Sequence, residues 1–105
     1  MLRIYPVALS ITRDAAQAAD HIARKDPDLA RQLRRASVSV PLNIAEGTGG
    51  IGKTRTARYA DALGSARETA ACLDVAAAIG YIPELAPETR DRLDHVIGVL
   101  VKIVH

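Results

Sequence analysis

Apolar residues recur every three or four positions along most of this chain. In the first stretch Ile4, Val7, Ala8, Ile11, Ala15, Ala18 and Ile22 keep that spacing for about five turns, which predicts an amphipathic helix. Pro27, flanked by Asp26 and Asp28, ends it and supplies the start of another. Leu29, Leu33, Ala36, Val40 and Ile44 carry the same period through a second segment. A third, from about Thr54 to Ile79, places Ala62, Ala66, Leu73 and Ala76 on one side, and Gly80 stands where a C-terminal glycine is expected. The fourth opens at Pro87-Glu88 and runs through Leu93, Val96, Ile97, Leu100, Val101 and Val104. No segment alternates convincingly at period two. The predicted fold is all-α, an antiparallel up-down-up-down four-helix bundle with short connections, forming a single domain over residues 1–105.

One local conflict is "SVSVPLN". Val38 and Val40 alternate with serines and Pro41 follows, which alone reads as a short strand. The apolar phase from Leu29 to Ile44 nevertheless survives the proline, so the segment is read as a helix kinked at Pro41, where one backbone hydrogen bond is lost.

The stretch "EGTGGIGKT" poses a second question, because Gly47, Gly52, Lys53 and Thr54 fit G-x-x-x-x-G-K-[ST], the loop that cradles nucleotide phosphates. Such a loop works when a buried parallel strand delivers the chain to a helix N-terminus. The segment before Gly47 is helical in pattern, and no alternation of strands and helices is present to build a parallel sheet. Gly47 to Thr54 is therefore read as a glycine-rich hairpin between the second and third helices, and nucleotide binding as a distant alternative.

Composition narrows the picture further. There are three tyrosines and no Phe or Trp, so the core must be aliphatic and alanine-rich. Cys72 is the only cysteine, which fits a reducing compartment and reads as a small buried hydrophobe. The N-terminal stretch lacks a signal-peptide pattern, no run approaches the roughly 20 apolar residues of a membrane span, and the expected location is cytoplasmic. His21, His95 and His105 are scattered and form no metal-binding spacing, and the sequence implies no cofactor.

The net charge is only +2, but it is unevenly placed. Between residues 31 and 67 basic residues far outnumber acids, and between 74 and 94 acids prevail. Arg31, Arg34, Arg35, Lys53, Arg55 and Arg58 are the candidates for contact with nucleic-acid phosphates. Arg35, Ser39, Asn43 and Glu46 share one side of the second helix, as do Asp61, Ser65 and Glu68 on the third. Two such rows on adjacent helices predict a polar seam that fixes helix register or a subunit boundary. No pocket or nucleophile for acid–base chemistry accompanies it, so no enzyme is expected. The fourth helix is apolar on more than one side, with Lys102 its lone charge from Val96 to Val104. That surplus predicts burial against another subunit through Val96, Leu100 and Ile103, and Gly98 suggests a close helix approach.

The strings "LARQLRRASVSVPLNIAEG" (Leu29 to Gly47) and "YADALGSARETAACLDVAAAIGYI" (Tyr59 to Ile82), with "LRIYPVALSI" at the start, carry a resemblance that spans most of the chain. The shared positions include Gln32, Leu33, Ser39, Pro41 and Asn43 to Gly47, then Ala62, Gly64, Ser65, Glu68 and Gly80 to Ile82. They resemble the four-helix-bundle family of 23S rRNA intervening-sequence proteins, which includes the accessory variability determinant proteins of diversity-generating retroelements. The resemblance implies a homo-oligomer, a ring of five subunits around a channel. For the retroelement members it also implies a basic surface binding RNA or DNA and a partner reverse transcriptase. This chain departs from the pattern in its glycine-rich stretch after Gly47 and in Thr48, which replaces an aromatic residue. The alternative reading is a purely structural protein–protein interaction module.

Overall fold

The computed structural model of the protein describes residues 2–105. Four helices follow one another: α1 (Ile4–Ala23), α2 (Pro27–Gly49), α3 (Gly52–Ile79) and α4 (Pro87–Val104). α1 packs against α2 and α4, and α3 packs against the same two. α2 and α4 do not touch and occupy opposite corners of the bundle. The described residues contain no strand, so Val38 and Val40 are helical.

Each boundary has a local cause. Asp26 caps α2 by accepting the Leu29 amide proton on Oδ1 at 3.0 Å, and Pro27 occupies the first turn, where its missing N–H costs nothing. α3 stops at Gly80, whose φ of 90° lies in the left-handed region open to glycine, and the Tyr81 amide closes back on the Ala76 carbonyl at 2.9 Å. α4 begins at Pro87.

The connection between α2 and α3 corrects the reading of the glycine stretch. Gly47 to Gly49 form the end of α2, α3 already begins at Gly52, and only Gly50 and Ile51 lie between. The hairpin expected over Gly47 to Thr54 is thus two residues long. Position 47 is helical and leaves no room for a side chain: a Cβ there would lie 2.5 Å from Cε1 of Tyr59. Tyr59 fills that space and is 1% exposed.

The core draws on all four helices: Ile4, Ile11 and Ile22 from α1, Leu33, Val40 and Ile44 from α2, Leu63 and Leu73 from α3, and Leu93, Val96 and Leu100 from α4. Alanines at 8, 15, 19, 30, 62, 66 and 76 are buried between them, which keeps the helices close. Val96 and Leu100 were expected at a subunit contact. Both are fully buried inside the chain, because the surplus apolar surface of α4 is largely absorbed by α1 and α3, and only Ile103 of that trio is exposed.

Pro41 lies inside α2, buried, and the helix continues through it. A proline at 41 cannot donate to the carbonyl of residue 37, four positions earlier. The Ser37 carbonyl instead accepts a hydrogen bond from Oγ1 of Thr12 on α1 at 2.9 Å. α1 therefore supplies the donor that α2 lacks. At the other side of α1, Asp14 accepts from Oγ1 of Thr89 and from the Arg92 guanidinium, each at 3.1 Å, tying the first helix to the last.

Candidate functional site

The polar rows of α2 and α3 do meet. Antiparallel packing places Ser39 opposite Ser65, and Oγ of Ser65 donates to Oγ of Ser39 at 2.9 Å. The Asn43 amide donates to the same oxygen at 2.9 Å and to the Ser39 carbonyl at 3.0 Å. Behind them Thr69, fully buried, donates to the Ser65 carbonyl at 2.8 Å. Only the Ser65–Ser39 bond crosses from α3 to α2 and ties their register; the others hold its two partners in place within their own helices. No buried side-chain polar atom among the described residues lacks a partner.

Above this floor runs a groove of about 1050 Å³, bordered by arginines 31, 34 and 35, by Val38 and Leu42, and by Glu46 and Glu68. It is open along its length, which suits a docking surface better than an enclosed small-molecule pocket. Val38 and Leu42 are 45% and 57% exposed, an apolar pair on the outer side of a helix.

The rest of the expected seam is arranged differently. Arg35 makes no ion pair among the described residues, and Asp61 turns to Arg58, whose Nη1 lies 3.4 Å from its Oδ2. Arg58 also reaches Glu46, Nε to Oε2 at 3.3 Å. Arg34 pairs with Asp20 of α1 at 2.6 Å, and Arg31 pairs with Asp28 one turn before it.

The six basic candidates do not form one patch. Arg31, Arg34 and Arg35 lie on the N-terminal half of α2, whereas Lys53, Arg55 and Arg58 lie at the start of α3, next to the C-terminal end of α2. At 1.5 Å per helical residue the groups are separated by roughly 20 Å. The second group is the more open. Residues 51–58 are all exposed, α3 has neither a side-chain cap nor an acid in its first turn, and the Arg55 guanidinium lies 5.6 Å from the centre of the Tyr59 ring. That distance permits a cation–π contact that steadies the arginine.

The geometry does not build a phosphate loop from Gly47 to Thr54. The amides of residues 47 to 49 belong to a helix end, and no strand precedes them. No group of three or more His, Cys, Asp or Glu side chains among the described residues is placed to hold a metal ion. Cys72 is buried, and burial raises its thiol pKa above the ordinary value, with the nearby Glu68 charge adding to the effect. No helix of the described residues is long and apolar enough to cross a membrane.

Several partners were invisible to sequence reasoning. Tyr59 against Gly47, Thr12 against Ser37, and Asp14 against Thr89 and Arg92 join residues far apart in the chain. Spacing within one helix carries no signal for them.

Comparison with known proteins agrees with this architecture. The family model described as 23S rRNA-intervening sequence protein matches residues 1–102. A crystal structure of a protein with unknown function from the S23 ribosomal protein family of Bacteroides thetaiotaomicron VPI-5482 is similar, with a TM-score of 0.81 and 16% identity, over 96% of this chain and 97% of that one. At that identity the likeness concerns the fold. No curated protein matches the sequence.

Proposed function

The chain belongs to the 23S rRNA-intervening sequence protein family, and from that premise we propose a non-enzymatic, homo-oligomeric protein of the cytoplasm that binds nucleic acid through its phosphates. The ring of five implied by the family resemblance is the assembly we adopt. A reverse transcriptase is the protein partner the same resemblance suggests.

One observation carries the nucleic-acid part: the open start of α3. Lys53 and Arg55 project beside a helix N-terminus whose first amides have no side-chain cap, and no acid lies between Gly47 and Arg58. The N-terminal end of a helix dipole attracts anions, and uncapped amides can donate to phosphate oxygens. Arg58, held between Glu46 and Asp61, contributes less than the other two. Phosphate contacts of this kind tolerate any base sequence and weaken steeply with salt.

The second reading, a purely structural interaction module, is favoured by the exposed Val38 and Leu42 and by the tying of Arg31 and Arg34 to acids of the same chain. Binding of RNA and duplex DNA at about 50 mM and about 200 mM salt separates the two. The nucleic-acid reading expects binding at low salt that Lys53→Glu and Arg55→Glu weaken, each reducing the salt slope for duplex DNA by about 1 per lost phosphate contact. No binding at low salt leaves the structural module as the function, and binding indifferent to both substitutions overturns the start of α3 as the contact.

A further inference from the structure

We propose that the outer face of α2 docks onto the outer face of α4 of a second copy of this chain, the two helices running parallel in a head-to-tail contact. The proposal deepens the oligomeric part of the function proposed above and rests on it.

Three observations converge. First, the faces are complementary in charge. Arg35 and Arg31, the latter also paired with Asp28 of its own helix, lie exposed on the outer side of α2, and Asp91 and Asp94 lie exposed on the outer side of α4. Arg35, Asp91 and Asp94 make no ion pair among the described residues, so their charges are available to a neighbour.

Second, the apolar parts match in the same direction. Two turns beyond its arginines α2 exposes Val38 and Leu42. Beyond its aspartates α4 presents Gly98, exposed, and the half-buried Val101. Laid parallel, the faces pair in step: Arg31 and Arg35 meet Asp91 and Asp94, while Val38 and Leu42 meet Gly98 and Val101. Reversing one helix would set the arginines against the apolar part of the other.

Third, no contact within its own chain requires glycine at 98, and the position lies in line with the charged part of the α4 face. A Cβ added there meets nothing within 4 Å, and its φ is not in the left-handed region. Glycine inside a helix carries a cost relative to alanine. A bare backbone facing outward lets a side chain of the size of Leu42 approach closely, which accounts for that cost. Because α2 and α4 occupy opposite corners of the bundle, each copy offers one face on either side. Such a contact is heterologous and closes into a ring when its rotation allows.

The test is the mass of the full chain in solution across a concentration series, by light scattering and native mass spectrometry, with far-UV circular dichroism to follow folding. Wild type is expected to be an oligomer. Gly98→Leu and Leu42→Glu are each expected to raise the dissociation constant by about tenfold or more while helicity is retained, since neither position is packed inside the chain. Gly64→Leu on the outer side of α3, equally open, is expected to leave assembly unchanged. Arg35→Glu and Asp94→Lys should each weaken assembly, and the pair together should restore at least part of it. A wild type that remains at its chain mass of 11.2 kDa overturns both this contact and the oligomeric part of the proposed function. An oligomer unaffected by Gly98→Leu and Leu42→Glu, one equally sensitive to Gly64→Leu, or a charge swap without recovery overturns the α2-on-α4 contact alone.

Discussion

Replacing Thr12 with valine tests how α2 tolerates its internal proline. The substitution keeps the branched shape of the side chain and removes only the hydroxyl. The lost donor lies 2.9 Å from the Ser37 carbonyl, in a residue that is 1% exposed, so solvent has little access to replace it. A buried carbonyl left without a donor costs about 1–3 kcal/mol. Threonine and valine have similar helix propensities, and the added methyl gains a little burial, so the expected loss is about 1–2 kcal/mol. For a domain of this size each kcal/mol moves the midpoint by roughly 4–8 °C, which predicts a fall of about 4–16 °C in thermal unfolding followed by circular dichroism at fixed protein concentration. Thr12→Ser, which keeps the donor, should lose much less. The decisive measurement is the double-mutant cycle with Pro41→Ala. Alanine at 41 regains an amide that can donate to the Ser37 carbonyl, so Thr12→Val in that background should cost less than half as much. The one hydroxyl proton is shared with the Ala8 carbonyl at 3.0 Å, a contact open to it in both backgrounds, so the cycle reads the coupling between positions 12 and 41. Equal costs with and without Pro41 would refute the idea that α1 compensates the proline.

Gly47→Ala should destabilise by about 1–2 kcal/mol in urea unfolding, because the methyl would collide with the buried Tyr59 ring and overpacking outweighs the gain in helix propensity. A neutral or stabilised variant would mean that the ring has room to shift. Asp26→Ala removes the cap on the Leu29 amide and should cost about 0.5–2 kcal/mol, with Asp26→Asn closer to wild type. Cys72 should resist alkylation in the native protein at pH 8 and react freely in denaturant. Its folded pKa lies above the unfolded one, so the stability linked to it is complete below the unfolded thiol pKa and declines as pH rises toward the folded value. The decline should be missing from Cys72→Ala, and a native thiol that labels at the unfolded rate would contradict its burial.

The helices were legible because one physical fact, the 3.6-residue period of a half-buried rod, is written directly into residue order. Pro27, Gly80 and Pro87 marked ends for equally local reasons. The glycines from 47 to 52 misled because glycine has two unrelated uses. It permits unusual turns, and it permits close contact. Gly47 serves the second, against a tyrosine that follows it one helix later, and nothing in the local sequence distinguishes the cases. Val96 and Leu100 misled for a similar reason. Periodicity says that α4 has too much apolar surface for one narrow side, but not how much of it two neighbouring helices can cover. The seam was readable where both partners sit mid-helix, as Ser39 and Ser65 do, since antiparallel packing brings matching polar rows together. Arg35 borders the same groove without an ion pair among the described residues, and Asp61 pairs with Arg58 of its own helix, a choice of surface partner that spacing does not encode.

The lone fully buried aromatic ring has a practical corollary. Tyr5 and Tyr81 are half-buried, Tyr59 is enclosed between α2 and α3, and no tryptophan competes with them. The protein is therefore optically quiet: near-ultraviolet ellipticity should report chiefly on closure of that one helix pair. A single tryptophan introduced at Val38 or Leu42 would emit against a dark background, and its colour would tell wet surface from dry contact.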